Sequence, residues 1–227
     1  MRGTGTRGTA VTRSTLRQQI ADALRDEVLA GRLLPGQEFT VKEIAELYGV
    51  SATPVREALV DLSAQGLLDS VQHRGFRVHE VTWDEYRSMI AARALVADGV
   101  FRQIAVDGIS EAAAAGTASV RRRAEEAERA ACSGDLAVLV GYDLRFWYEL
   151  TALFGNPYLG DFLHRLGVQA WVCVVPYLRD APDMRDLLWR GHGALAAAVA
   201  ARDDAAARAL VDSHRDHALA LPSRLRA

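Results

Sequence analysis

The chain has 227 residues, 50% of them hydrophobic and 25% charged, with a formal net charge of −2 at neutral pH. That length can bury two modest cores, and the composition excludes a disordered, fibrous or disulfide-stapled protein. No apolar run approaches the ~20 residues of a membrane span and no apolar segment follows the N-terminal arginines, so the sequence predicts a cytoplasmic protein with no anchor or signal peptide.

Residues 1–13 carry Arg2, Arg7 and Arg13 among Gly and Thr and read as a flexible basic arm. An amphipathic helix from Ser14 to Ala30 follows, with Leu16, Ile20, Ala23, Leu24 and Val28 as its buried stripe; it stops at Gly31, before the turn Leu34-Pro35-Gly36. Next, Val41, Ile44, Ala45 and Leu47 mark one face of a short helix, Gly49 permits a turn, and Ser51 or Thr53 caps a second helix with Pro54 in its first turn. On that second helix Val55, Ala58, Leu59 and Leu62 form the inner stripe, which leaves Ala52, Thr53, Arg56, Glu57 and Val60 outside.

Beyond Gly66 the period changes. Leu67, Leu68, Ser70 and Val71, then Phe76, Val78 and Val81, predict two short strands joined around His73, Arg74 and Gly75. Two helices alone would suit a packed corner as well as a reader of double-stranded DNA; a following hairpin with a basic tip favours the reader. Residues 1–82 hold ten Lys or Arg and ten Asp or Glu, so affinity for a phosphate backbone must come from where the charge sits, in the arm and the wing.

From Trp83 onward the sequence is alanine-rich and predicts six helices, at 83–107, 110–132, 135–154, 157–179, 183–201 and 204–220. Breaks at Gly108, Ser133-Gly134, Gly155-Asn156-Pro157, Asp180-Ala181-Pro182 and Arg202-Asp203-Asp204 give short connections. The predicted fold is mainly α: a winged helix-turn-helix with a small β-hairpin wing over 14–82, then an antiparallel six-helix bundle over 83–227. Cys132 and Cys173 have no paired spacing and read as reduced core thiols. Phe146, Trp147, Tyr148, Phe154, Tyr158, Phe162, Trp171 and Tyr177 read mostly as core, from which a pocket for a small apolar or aromatic acid could be cut.

One constellation in the bundle carries possible chemistry. His192 lies 11 residues before Asp203 and His214 lies 11 after it, which in an antiparallel hairpin brings two imidazoles to one height, and Asp143 is a third inward candidate. A carboxylate and two imidazoles suit a divalent transition metal such as zinc, manganese or nickel, with open positions for water or a small anion. His164 and His217 fit no such geometry and read as surface or packing residues.

The run Val28-Leu29-Ala30-Gly31-Arg32-Leu33-Leu34-Pro35-Gly36, with Gly49-Val50-Ser51-Ala52-Thr53-Pro54-Val55-Arg56-Glu57-Ala58-Leu59, resembles the signature of the GntR family of bacterial winged-helix transcription regulators. The resemblance implies DNA contacts from Lys42, Thr53 and Arg56, with His73 or Arg74 reaching the minor groove. Members usually carry arginine where Ala52 stands and an acidic-arginine pair where Val41-Lys42 stands, which implies a different operator.

The bundle resembles the FCD type of effector domain, in its shorter VanR-type subgroup, at Asp143 to Trp147, Gly155-Asn156-Pro157, His192 and His214. In that family an aspartate and three histidines hold a metal; Asp143, His192 and His214 match three positions and Trp147 stands at the fourth, where an indole has no lone pair to give. With no metal, the pocket would hold an effector between Trp147 and the histidines. Arg93 resembles the arginine that faces the FCD pocket and would pair with a small organic acid. The resemblance implies a homodimeric, ligand-responsive regulator, most simply a repressor released by that acid. The alternative is an all-helical metal-dependent hydrolase built on Asp143, His192 and His214.

Overall fold

The computed structural model describes residues 15–107 and 116–225. The elements run α1 (Leu16–Leu29), β1 (Glu38–Phe39), α2 (Val41–Tyr48), α3 (Ala52–Ala64), β2 (Leu68–Val71), β3 (Gly75–Val78), α4 (Trp83–Asp107), α5 (Thr117–Ser133), α6 (Leu136–Ala152), α7 (Pro157–Asp180), a 3-10 turn (Met184–Leu187), α8 (His192–Ala200) and α9 (Asp204–Arg224). The architecture is mainly α, as the sequence predicts. The arm of residues 1–13 and the predicted break at Gly108 lie outside the described residues, as does the start of the helix predicted at 110–132.

Local chemistry sets most boundaries. Thr40 and Glu43 form a reciprocal capping box at α2, and Thr82 and Glu85 repeat it at α4, each satisfying two backbone donors that would otherwise lack partners. Asp135, Asn156 and Asp203 cap α6, α7 and α9 through their side-chain oxygens. Pro157 takes the first position of α7, where its missing N–H costs nothing. Ser51 stands at the N-cap of α3 but makes no side-chain capping bond, and Thr53 is already inside the helix.

The inner stripe of α3 is as predicted: Val55, Ala58, Leu59 and Leu62 are essentially fully buried. Two other stripes need correction. In α2, Leu47 keeps 71% of its surface exposed, and Tyr48 packs inward instead, because an eight-residue helix follows the 41, 44, 45, 48 spacing. In α1, Ala21 is buried where Ala23 was expected, and Leu16, in the first turn, is 47% exposed.

The wing has three strands rather than two, in the order β1-β3-β2, all antiparallel, with Phe39 opposite Phe76 and Ser70 opposite Phe76 on the other side. A two-residue strand leaves no period-2 signal, so β1 could not be read from sequence. The hairpin turns through Gln72 and His73, with His73 at φ 62° and the Arg74 N–H donating to the Val71 carbonyl.

In the bundle, α4 packs against α7 and α9, and α5 lies in a close antiparallel pair with α6, made possible by the small residues Ala124, Ala127 and Ala131. The helix predicted at 183–201 is broken. A 3-10 turn and an irregular stretch carry the chain to Gly191, and α8 starts at His192, where the Glu128 carboxylate of α5 accepts from the Gly193 N–H and caps the helix from outside. The last helix runs four residues further than predicted, to Arg224. Cys173 is buried, but Cys132 is exposed and is not a core thiol. Tyr158, at the start of α7, is 85% exposed, and Tyr148 and Tyr177 are also exposed, so the aromatic series is less internal than its composition suggested.

Candidate effector cavity and nucleic-acid interface

The outer faces of α2, α3 and the wing meet in an open groove lined by Thr40, Lys42, Gly49, Ala52, Arg56, His73 and Arg74. Thr53 is exposed at the first turn of α3. Among the described residues Arg56 and Arg74 have no ion-pair partner, so both guanidiniums are free for an external anion, whereas Lys42 lies 3.8 Å from Glu46. Arg77, behind the wing tip, is engaged with Asp69.

The bundle site is built around Asp143. Its carboxylate is 5% exposed and His192 is 2% exposed, and these two with Thr151 are the buried polar residues among those described. Oδ1 accepts from Trp147 Nε1 at 3.0 Å and lies 2.9 Å from His192 Nε2; Oδ2 accepts from Trp171 Nε1 at 2.7 Å. Burial alone would raise the Asp143 carboxyl, but the hydrogen bond and charge of His192, with lesser help from His214 and Trp171, hold it below the usual carboxylate range. With that carboxylate ionised, the facing His192 nitrogen carries the proton, and its other nitrogen, Nδ1, is buried without a partner.

His214 belongs to the same neighbourhood through rings rather than hydrogen bonds. Its centroid lies 4.9 Å from Trp147 and 4.9 Å from Trp189, and Trp189 stands 4.8 Å from His192. Burial, reinforced by the positive charge of Arg93, pushes the His214 imidazole down to about 3, so it is neutral at ordinary pH. Trp189, which sequence reading passed over, comes from the broken segment before α8, and no periodic pattern marks a residue in such a stretch.

Arg93 completes the wall. Its guanidinium lies 5.5 Å from the centroid of the Trp147 ring and has no hydrogen bond or ion pair among the described residues. Burial lowers its pKa, and Asp143 and Tyr86 offset part of that. Two adjoining small cavities, both partly open to the outside, meet at this point. One contains Asp143, Trp171, Trp189, His192 and His217; the other is bounded by Ala94, Ala97, Phe101, Leu150, Phe154 and Val211, with Trp147 in its wall; Ile90, Arg93 and His214 border both. His217 is thus a cavity residue, and its Nε2 also lies 2.8 Å from the Leu187 carbonyl. His164 packs beside Tyr148.

These donors do not fit a metal ion as they stand. Both Asp143 oxygens are engaged by indole N–H groups, the His192 nitrogen nearest the carboxylate is spent on it, and the fourth position is an indole. Among the described residues no three His, Cys, Asp or Glu side chains gather as a metal would require.

Helix α7 links this site to the winged helix. One side donates Trp171 to Asp143. Elsewhere on the helix, Gln169 Nε2 donates to the Gln65 carbonyl at 3.1 Å at the end of α3, Arg179 donates to the Ala30 and Gly31 carbonyls at 2.7 and 2.9 Å at the end of α1, and Cys173 Sγ lies 3.6 Å from the Val81 carbonyl. Gly31 and Gly66 have φ of 65° and 73°, and a Cβ on either would collide with the Arg179 or Gln169 side chain at 2.7 or 2.0 Å. Glycine takes that backbone conformation without strain and leaves both side chains where they bond.

A three-stranded winged helix with free arginines on its outer face, joined to a helical bundle enclosing a polar-walled cavity, defines the class of two-part regulators that read DNA with one half and small molecules with the other. The sequence pattern of the family described as "Bacterial regulatory proteins, gntR family" matches residues 16–78, and that of the FCD domain matches residues 88–217. The chain belongs to the GntR family of transcription regulators with an FCD domain; it is a DNA-binding regulator of transcription and not an enzyme. The alternative of a metal-dependent hydrolase falls with that membership.

Among relatives, the chain is 29% identical over 206 residues to the HTH-type transcriptional repressor GlaR of Escherichia coli, covering 84% of this chain and 88% of that one. It is 28% identical over 172 residues to a probable D-xylose utilization operon transcriptional repressor of Paenarthrobacter nicotinovorans, covering 76% and 74%. E. coli McbR/YncC shares the fold, with a TM-score of 0.75 at 24% identity over 95% of this chain and 100% of that one. No described helix is long and apolar enough to cross a membrane.

Proposed function

We propose that the chain is a cytoplasmic, homodimeric repressor that leaves a palindromic operator when a small organic acid enters its bundle. Residues 14–82 read DNA, through Arg56 and Thr53 on α3, Lys42 on α2 and His73 and Arg74 on the wing; residues 83–227 dimerise and bind the effector among Arg93, Asp143, Trp147, His192 and His214. The observation that carries the sensing half is Arg93, a half-buried cation on a cavity wall with no ion pair among the described residues. A carboxylate would supply that anion in a bidentate pair.

The route from cavity to DNA follows α7. An acid that shifts Trp147 or Trp171 displaces the helix that holds the ends of α1 and α3, and a ligand that favours the displaced state lowers operator affinity by its difference in affinity for the two states. Two relatives named as repressors support that sign of regulation. The fit of the Asp143 site favours an organic ligand over zinc, manganese or nickel. The test is fluorescence anisotropy on an operator selected from random duplex DNA, titrated with small carboxylic acids. Release by at least one acid, lost in Arg93→Gln while DNA binding persists, is the expected result; equal release in the variant would remove Arg93 from the mechanism.

A further inference from the structure

Resting on that reading of Arg93, we infer that the effector is an apolar monocarboxylate, held without a metal, whose carboxylate meets Arg93 and whose tail fills the chamber beyond Trp147. Three observations converge. The Asp143 carboxylate is saturated by Trp147, Trp171 and His192, so the polar cavity offers a ligand a neutralised wall rather than a vacant donor set. Trp147, by donating to Asp143 and presenting its ring to Arg93, stands between that carboxylate and the apolar chamber. The chamber itself is walled mainly by Ala94, Ala97, Phe101, Leu150, Phe154 and Val211, with Arg93 and neutral His214 at the shared border; Thr151 and Arg215 also line it, but the one donates to the Tyr148 carbonyl and the other is paired with Asp212 and Asp216.

The chemistry of that border selects for one charge. Of the two guanidiniums that line the chamber, Arg215 is already paired with Asp212 and Asp216, so Arg93 is left to compensate a single carboxylate. A second carboxylate or several hydroxyls carried into the chamber would lie mostly against alkyl and phenyl groups, the polar groups of Thr151 and Arg215 being already engaged, whereas methylenes gain by leaving water. Ala94 and Ala97, one and four residues beyond Arg93 on α4, supply the room: their methyl side chains leave space that larger residues would occupy.

The experiment is a calorimetric titration of the full chain, stripped with EDTA, using straight-chain monocarboxylates from acetate to decanoate, with succinate as the doubly charged probe. Affinity is expected to rise about fourfold for each added methylene until the chamber is full, then level off, with succinate binding no better than acetate. Ala97→Phe should flatten the length dependence while preserving the response to acetate. Ala94→Val, a smaller intrusion, should shorten the optimal tail and serves if Ala97→Phe misfolds, as judged by circular dichroism and thermal unfolding. Binding that needs Arg93 but is indifferent to tail length and to both alanine variants would overturn the chamber and leave the effector reading standing. Binding of succinate only after addition of zinc or manganese would overturn the metal-free site. Failure of every acid to bind, with Arg93→Gln indistinguishable from the parent, would overturn the proposal together with the effector reading beneath it.

Discussion

The winged helix and the bundle place their polar residues in opposite ways. In the winged helix the core is apolar and Lys42, Thr53, Arg56 and Arg74 all stand outside it. In the bundle Asp143 and His192 are buried and His214 is half-buried beside them, and each depends on partners brought from other parts of the chain. A polar group on a surface is stabilised by water and can be exchanged cheaply, whereas a buried one is held only by the neighbours that satisfy it. Substitutions should therefore separate stability from DNA affinity in the first half and combine stability with sensing in the second.

The largest effect is expected at the centre of the bundle. Asp143→Ala leaves two indole N–H groups and the His192 N–H without an acceptor, and should lower stability by about 3–5 kcal/mol in urea unfolding; a loss below about 1 kcal/mol would show that these groups find other partners. On the other side of the comparison, Arg56→Ala should weaken operator binding by about 1–3 kcal/mol, read by anisotropy. The same variant should change the urea midpoint by no more than about 0.5 kcal/mol of stability, and a larger change would mean that Arg56 belongs to the fold.

Acid should act on the bundle first. The folded state holds His164, His214 and His217 below the ordinary imidazole value and Asp143 below the ordinary carboxyl value. For the histidines the unfolded chain binds more protons once the pH drops under about 6.5, so stability falls on acidification, by up to about 1.4 kcal/mol per pH unit for His214 and continuing toward pH 3, with smaller contributions of the same sign from the more exposed His164 and His217. Asp143 adds the same sign below about pH 4, because its stabilisation is present above the ordinary carboxyl value and disappears as the pH falls through its lowered folded value. Urea titrations at pH 7, 6 and 5 test this, and a flat profile between 6.5 and 5 would contradict it. At the small end, Leu47→Ala should stay within about 0.5 kcal/mol, while Ile44→Ala, one turn earlier on the same helix and buried, should cost about 2–5 kcal/mol.

The same contrast explains what could be read in advance. The stripe Val55, Ala58, Leu59 and Leu62, the capped start of α2 and the basic wing tip are products of local sequence, and they stand where spacing puts them. The equal spacing of His192 and His214 about Asp203 suits their common neighbour, since both rings lie against Trp189. Trp171 and Trp189 as partners of the site were illegible. One reaches Asp143 from 28 positions away, and the other sits in a break that ends where Glu128 caps α8 at Gly193, a contact 65 residues apart in sequence. Trp147 was visible as an intruder at a ligand position, but only the fold shows that it turns its N–H to the carboxylate and its face to Arg93.

Among the described residues, the bonds by which α7 grips the winged helix all end on main-chain oxygens: those of Ala30 and Gly31, of Gln65 and Gly66, and of Val81. Such acceptors are the same whatever side chains surround them. The outer face of α3 can therefore drift through generations toward a new operator while the grip of the sensor is inherited unchanged. On the proposed reading, a lineage that keeps glycine at 31 and 66 would be free to rewrite which genes it governs without relearning what it senses.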